Sequence, residues 1–413
     1  MRLLAGPRGC ESLAEHEKRL GPRPRVDDGF IDVLRQSGLR GRGGAWFPTW
    51  RKWAAVRENS ERNAVVVVNG HEGEPLSGKD RVLLQLRPHL VIDGAMLAAE
   101  ALGASEVTLY LSRSSRETDH AVRRALEERA GLEEPPMGVE RTAHRYVGGE
   151  SSAVVSRASG GQSKPRFTLV RMADKGVNDQ PTLVQNAETM AHAALIARYG
   201  PAWFRQLGTE ASPGTTLMTL TGNVKRPGVY EVDLGASIAG VVRDVGGTVS
   251  PPAGALLGGY FGSWLSPNAL STLPLDVDRL RSAHSAAFGC GILALLPQGG
   301  CAIVESTRIL AYLAAESSGQ CGPCVNGLAA LADTMQRVAT SSGEFGDLDR
   351  VTRWIEMVNG RGACHHPDGA VGQLQSALTV FKEHLHTHLL GHSCHGVRTV
   401  GFPQPPAPGE GWK

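Results

Sequence analysis

The thiols carry the most specific chemistry in this sequence. Cys321-Gly322-Pro323-Cys324 places two sulfurs close together between helical stretches, and Cys364 follows a later stretch that would end beside them if neighbouring helices run antiparallel. Three thiolates converging in this way make a metal site. Zinc completed by His365 or His366 satisfies the same spacing. A C-x-x-C redox pair is a weaker rival, because no strand precedes the motif in this helical region. Gly38-Leu39-Arg40-Gly41-Arg42-Gly43-Gly44-Ala45, followed by Lys52, is a second candidate: glycines let backbone N–H groups approach an anion and the basic residues add charge, so the loop could cradle a phosphate. Three polar clusters, Asn69 to Pro75, Tyr146 to Ser152 and Gln185 to Thr189, offer amides, hydroxyls and carboxylates suited to a ribityl chain, a flavin edge or a ribose. His384 and His388 are one helical turn apart and could share a metal, although a solvated polar face explains them better.

These groups need elements to hold them. Ala64 to Asn69 is a β-branched run suited to a buried parallel strand. It is followed by a helix from His89 to Ala104, a strand from Glu106 to Leu111 and a helix from Glu117 to Arg129. Such alternation is the pattern of a doubly wound α/β sheet, which binds ligands at the carboxyl ends of its strands, where Asn69-Gly70-His71-Glu72 would lie. Beyond residue 213 the pattern changes to two strands, 215–221 and 228–232, and a short helix, 237–245. From Glu305 to Leu390 it is helical: Val325, Leu328, Ala332, Met335 and Ala339 form one apolar stripe, Leu348, Val351, Ile355 and Val358 a second, and Val371, Leu374, Leu378, Phe381 and Leu385 a third. With Ile309 to Ala315 they predict a bundle of four short helices. Residues 1–25 and 402–413 read as loosely held ends.

The whole-chain numbers narrow the function classes. With 413 residues, two to three domains are expected, and a net charge of +2 gives no electrostatic case for nucleic acid or an anionic membrane surface. No apolar run approaches the roughly 20 residues of a membrane-spanning helix. Seven cysteines, an odd number in a long chain with no secretory leader, fit thiols or metal ligands in the cytoplasm rather than a disulfide framework.

Taken in order, GLRGRGGAWFPTWRKW (38–53), NGHEGEP (69–75), KDR (79–81), GGESSA (148–153), QNAET (185–189), GNVKRPGVYE (222–231) and ESSGQCGPC (316–324) resemble the NADH-binding flavoprotein subunit of respiratory complex I and the diaphorase subunits of NAD-linked hydrogenases and formate dehydrogenases. The resemblance runs from about Gly38 to Phe381. It implies an N-terminal extension (1–27), an FMN- and NADH-binding Rossmann-like α/β domain (28–212), a ubiquitin-like β-grasp domain with its connector (213–300), a four-helix iron–sulfur domain (301–390) and a tail (391–413). The activity implied is that of an NADH dehydrogenase: NAD(P)H is oxidised through FMN, and single electrons pass through a 4Fe-4S cluster to a ferredoxin-like protein or 2Fe-2S subunit.

Carried onto this chain, the family pattern puts Gly41, Arg42, Gly43, Gly44 and Lys52 around the FMN phosphate and ribityl chain. Asn69, Glu72, Tyr146, Gly149, Glu150, Asn186 and Thr189 would line the flavin, and Phe47 and Glu74 would meet the nicotinamide nucleotide. Cys321, Cys324 and Cys364 would hold the cluster, with Ser318 in the place of a fourth cysteine. That serine leaves four outcomes open: serine ligation, a three-iron centre, completion by Cys394, or no cluster. His71 replaces an acidic residue, Ser151 a second carboxylate, and Thr168 to Met172 stand where the family's nucleotide-clamping Lys-Pro-Pro-Phe-Pro stretch is expected. The alternative is a subunit that keeps the fold without binding NADH, with zinc or no metal at the cysteines.

Overall fold

The computed structural model describes the chain apart from residues 1, 61–62, 285–286, 393–401, 405, 408–410 and 413. A four-stranded parallel sheet comes first, β1 (Ala64–Asn69), β2 (Ala104–Ser112), β3 (Met137–Thr142) and β4 (Thr182–Asn186), in the order β3-β2-β1-β4. Side chains alternate along β1, so Val66 and Val68 enter one core while Val65 and Val67 enter another on the opposite face. Burial on both faces is why the run is all valine rather than alternating polar and apolar. The helices Pro88–Leu102 and Ala187–Phe204 cover the first face. They cross so closely at Gly94 that a Cβ there would lie 2.0 Å from the Met190 carbonyl oxygen, so only glycine fits. The chain builds outward from β1 to β3 and then returns to add β4 on the other side of β1. This reversal opens a crevice at the carboxyl ends of β1 and β4, where Asn69 and Asn186 are register partners.

A five-stranded mixed sheet follows, comprising β5 (Thr215–Gly222), β6 (Gly228–Asp233), β7 (Pro252–Leu257), β8 (Ser263–Leu265) and β9 (Ile292–Pro297), in the order β6-β5-β9-β7-β8. The expected hairpin and short helix are present, the latter as Ile238–Asp244. The apolar run at Ile292 proves to be the central strand, parallel to β5 and antiparallel to β7. Its side chains divide between a core shared with the helical region and one under Ile238–Asp244.

The helical region contains five helices among the described residues rather than four: Ala302–Ala315, Ala329–Ala339, Phe345–Val358, His366–Val380 and Lys382–Leu389. The third predicted stripe is split at Phe381, whose φ of −117° breaks the helix. Val325 also departs from its expected stripe. It lies in a π-helical turn, Pro323–Leu328, whose wider winding rotates it out to 50% exposure.

Both chain ends are held down, contrary to expectation. The Arg87 guanidinium donates to the carbonyls of Leu4, Ala5, Pro7 and Gly9, Leu3 is fully buried, and Leu13–Leu20 is a helix closed by a Ser12/Glu15 capping box. Phe402 stacks on Trp264 in the core.

The two sheets are joined through Glu188, a fully buried carboxylate in the first turn of Ala187–Phe204. Its Oε1 accepts from the Thr216 hydroxyl (2.9 Å) and the Leu217 N–H (2.8 Å) of β5, and its Oε2 pairs with Lys79 Nζ at 2.9 Å. Burial would raise its pKa, but Lys79, His192 and Arg42 outweigh that and hold it at about 2. Because the folded value is depressed, the stabilisation is complete above the unfolded carboxylate range and is lost as pH falls towards about 2. Glu188→Gln should therefore destabilise the protein by roughly 3–5 kcal/mol at pH 7, as one partner is removed from a buried pair. Urea denaturation would show this, with the difference from the unsubstituted protein shrinking in acid.

Candidate functional site

The glycine-rich loop is pinched at its base. Arg40 bridges Pro48, and the Gly41 N–H donates to the Phe47 carbonyl at 2.8 Å. Inside the loop Trp46 adopts φ +54°, packs edge-on against Phe288 and donates its Nε1–H to the Gly289 carbonyl. Arg42 lies over the Trp46 ring at 4.4 Å and donates to the carbonyls of Arg40 and Thr215, with Glu188 at 3.8 Å. Arg42 is expected around a phosphate, yet its guanidinium is buried and turned to these protein partners. Its backbone N–H donates to Thr189 Oγ1, so Thr189 also supports the loop from beneath.

With these groups turned inward, Gly43 is left exposed against Asn186, where an added Cβ would lie 3.3 Å from the asparagine Cβ. Asn186 caps Ala187–Phe204, accepting from the Glu188 N–H, and its amide donates to Asp80. Across the crevice Asn69 donates to the Gly149 carbonyl at 2.8 Å. Gly149 packs against His71, whose ring is buried and neutral: burial, with His144 nearby, lowers its pKa to about 4. Gly44 faces Gly289 and Cys290. Glu72 accepts from Ser77 and from the N–H groups of Asp80 and Arg81, which makes it a cap for Lys79–Leu86.

Next to this crevice is a cleft of about 570 Å³. Phe47, Lys52 and Glu150 line it together with Arg51, Arg171 and the apolar Leu183 and Val184. Lys52 Nζ donates to the Val184 carbonyl at 3.2 Å, and burial lowers its pKa. A desolvated ammonium in an apolar cleft suits an anionic ligand group, and the volume suits a mononucleotide. Glu150 caps Ser151–Ala158, accepting from Ser152 and Ala153. Phe47 leaves 46% of its surface exposed, presenting a ring face to the cleft.

Glu74 and Tyr146 lie at the junction with the second sheet and the helices. Glu74 Oε2 accepts from the Tyr146 hydroxyl (2.9 Å) and from the Tyr260 N–H (2.8 Å), and burial pushes its pKa up to about 7. The Tyr146 ring packs among Tyr260, Phe261, Tyr312 and His366, and its N–H donates to Glu316, the residue that opens the cysteine turn.

Cys321, Cys324 and Cys364 act on one another electrostatically: burial, Cys321 and Cys364 push the Cys324 thiol up to about 12, and burial also raises Cys364. A bound metal centre would supply charge that favours their thiolates. Ser317 is the serine hydrogen-bonded to Cys324. The Ser318 hydroxyl instead accepts from the Gln320 amide. Of the two imidazoles offered for zinc, His366 donates its Nε2–H to the Leu313 carbonyl within the aromatic cluster and leaves its Nδ1 buried without a partner, and His365 is 99% exposed beside Asp368. Among the described residues no group of three His, Cys, Asp or Glu is arranged to hold a single metal ion. A cluster is a larger body and needs its ligands further apart. Cys394 lies outside the described residues. His388 is not paired with His384; its two nitrogens meet Cys301 Sγ and Ser341 Oγ in the interior.

One expectation was placed out of register. Lys164-Pro165-Arg166-Phe167, just before Thr168, already carries the lysine, proline and phenylalanine of the Lys-Pro-Pro-Phe-Pro pattern. The Arg166 N–H donates to Ser152, next to cleft-lining Ser151, and Phe167 is 71% exposed.

Known proteins resemble this chain over most of its length. The family described as the Nuo51 FMN-binding domain matches residues 34–194, and the NADH-ubiquinone oxidoreductase-F iron-sulfur binding region matches residues 305–388. The chain is 30% identical over 380 residues to the second NADH-quinone oxidoreductase-F protein of Rhizobium meliloti, covering 89% of this chain and 90% of that one. It is 32% identical over 389 residues to the NADH-quinone oxidoreductase-F protein of Streptomyces coelicolor, covering 89% and 84%. An NAD+-reducing NiFe hydrogenase in the H2-reduced state superposes with a TM-score of 0.82 at 29% identity, covering 89% of this chain and 63% of that one. The chain thus spans less than two thirds of that hydrogenase chain.

The cysteine geometry makes a prediction of its own. In protein stripped of metal, Cys324 should alkylate at pH 8 roughly 50- to 100-fold more slowly than a free thiol of pKa about 8.5, its small thiolate fraction being partly offset by a more nucleophilic thiolate. Peptide mass spectrometry would read the rate, and Cys364→Ser should raise it.

Proposed function

The chain belongs to the NADH-quinone oxidoreductase-F family, and on that premise we propose that it oxidises NAD(P)H through FMN and passes single electrons through an iron–sulfur centre to a partner protein. The observation that carries the reading is one of adjacency. A cleft of mononucleotide size with a buried lysine is lined at one end by Glu150 and Ser151, and Tyr146, a few residues before them, hydrogen-bonds Glu74 and, through its N–H, Glu316 at the start of the segment that carries Cys321 and Cys324. Bound FMN would supply the conversion from hydride to single electrons, and the cluster the onward relay.

The protein's own part is binding and positioning. Lys52 offers its ammonium to the FMN phosphate, and Gly41, Gly43 and Gly44 let the backbone come close to the ribityl chain. Asn69, Asn186, Gly149, Glu150 and Glu72 shape the polar edge of the flavin site, while Arg42 and Thr189 hold the loop from inside. Phe47 offers a face on which a nucleotide ring can stack. Glu74, with its raised pKa of about 7, can hold a proton against the Tyr146 hydroxyl near neutral pH. Cys321, Cys324 and Cys364 would be the cluster ligands, with Ser318 or Ser317 as the nearby oxygen donors. We read the second sheet, with Ile238–Asp244, as the β-grasp domain and the helices from Ala302 to Val380 as the four-helix iron–sulfur domain. The partner would be a ferredoxin-like protein or 2Fe-2S subunit, met in the cytoplasm or at the periphery of a membrane complex. No single helix among the described residues is long and apolar enough to cross a membrane, and the one bent pair that passes by composition lies in the first core.

The test is an anaerobic visible spectrum with iron and sulfide assays. Flavin bands should bleach when NADH or NADPH is added, and iron and sulfide should be present. A flavin that stays oxidised with both nucleotides ends the dehydrogenase reading. Lys52→Met should reduce FMN retention about 10- to 100-fold, the weight of one charged hydrogen bond. Ser318→Cys should raise the iron and sulfide retained through purification, which separates a cluster short of one thiolate from one already fully ligated.

A further inference from the structure

Residues 163–166 reach the cleft through Ser152, the neighbour of cleft-lining Ser151, and are tied down by three unrelated parts of the chain. The Ser163 N–H and hydroxyl both donate to the Trp412 carbonyl, at 2.7 and 2.9 Å. The Pro165 carbonyl accepts from Gln320 of the cysteine turn, and the Arg166 N–H donates to Ser152. Ser163 is fully buried, so its two donors depend on that one carbonyl. Trp412 is itself anchored by its ring: the Arg145 guanidinium lies over it at 4.1 Å and the Lys164 ammonium at 5.3 Å. Arg145 in turn pairs with Glu316. Beyond this fixed stem the chain changes character. Phe167, Leu169 and Val170 are 71%, 89% and 47% exposed, and Arg171 and Met172 then line the cleft. Three apolar side chains left in solvent beside a cleft, on a stem that is firmly tied, have the arrangement of a surface waiting for a flat apolar ligand group.

We propose that Trp412 is a positioning residue for the nicotinamide nucleotide: its carbonyl on Ser163 and its ring on Arg145 and Lys164 hold residues 163–167 at the mouth of the cleft, so that Phe167 and Lys164 are in place before the nucleotide arrives. The inference rests on the dehydrogenase reading above. Trp412 touches neither flavin nor substrate in this account. Its removal loosens the stem and makes nucleotide binding order it again, which appears in KM rather than in kcat.

The test uses the full flavin-loaded protein with Trp412→Ala and Trp412→Phe. Trp412→Ala should raise the KM for NADH about fivefold or more while kcat and FMN content stay within twofold. Hydrogen exchange should accelerate in peptides covering residues 163–167 and remain unchanged in β1. Trp412→Phe, which keeps an aromatic face for the two cations, should stay within twofold of the unsubstituted protein in both measurements. Unchanged exchange at 163–167, an unchanged KM, or a phenylalanine variant as impaired as the alanine one overturns the proposal. If NADH leaves the flavin of the unsubstituted protein oxidised, the dehydrogenase reading falls instead. The exchange rates, which need no turnover, then decide whether Trp412 holds the segment.

Discussion

The arrangement depends first on one buried carboxylate. Glu188 cannot be charged at zero exposure without partners, and besides His192 of its own helix those it has come from three separate places: Lys79 at the head of the helix after the Glu72 cluster, Arg42 from the glycine-rich loop, and Thr216 and Leu217 of the second sheet. Each partner is thereby given a fixed position relative to β4. The glycine loop sits over the crevice because Arg42 is drawn inward, and the second sheet docks because β5 supplies two donors. Asn186, two residues earlier, is oriented by Asp80 and Lys79 of the same network. The polar surface of the crevice therefore inherits its geometry from ion pairs that no ligand touches.

Glu74 is a second and different joint. Its oxygens link the end of the Asn69 to Pro75 cluster to the backbone at Tyr260 and to the Tyr146 hydroxyl, so one side chain fixes the spacing between the crevice and the helical region. Tyr146 continues the connection through its ring contacts with Tyr312 and His366 and through its N–H on Glu316. Glu188 is held ionised by cations, whereas burial, with the Glu72 carboxylate nearby, outweighs the hydrogen-bond donors at Glu74 and its pKa rises. Two carboxylates on one framework thus take opposite protonation behaviour from their surroundings, one structural and one able to exchange a proton.

Much of the fold was legible because its signals are local. The valine run of β1 and the helices on either side of β2 depend on side-chain period and appear within a residue or two of expectation, and the helical region is present with its stripes in part. Misreadings came where a distant partner decided the outcome. Val325 fits its stripe at α-helical spacing, but the Pro323–Leu328 turn winds wider. Arg42 sits in a loop rich enough in glycine and charge to suggest a phosphate site. Its guanidinium nevertheless turns to Thr215 and Glu188, more than 140 residues away in sequence. The ends of the chain look polar and proline-rich, yet Arg87 gathers the first and Trp264 the last.

By itself the sequence determined the residue types and their order: a doubly wound sheet with polar clusters at its strand ends, three thiols able to converge, and a pattern specific enough to point to one family. Periodicity and motif spacing are properties of neighbouring residues, so they survive without the third dimension. Tertiary structure alone decided which of those polar groups face a ligand and which are bound up inside. Lys52 is left with one carbonyl in a cleft while Arg42 is enclosed, and Ser317 reaches Cys324 while Ser318 turns to Gln320. The physical reason is desolvation: a buried charge or donor must take whatever partner the fold brings to it, and that partner is seldom near in sequence.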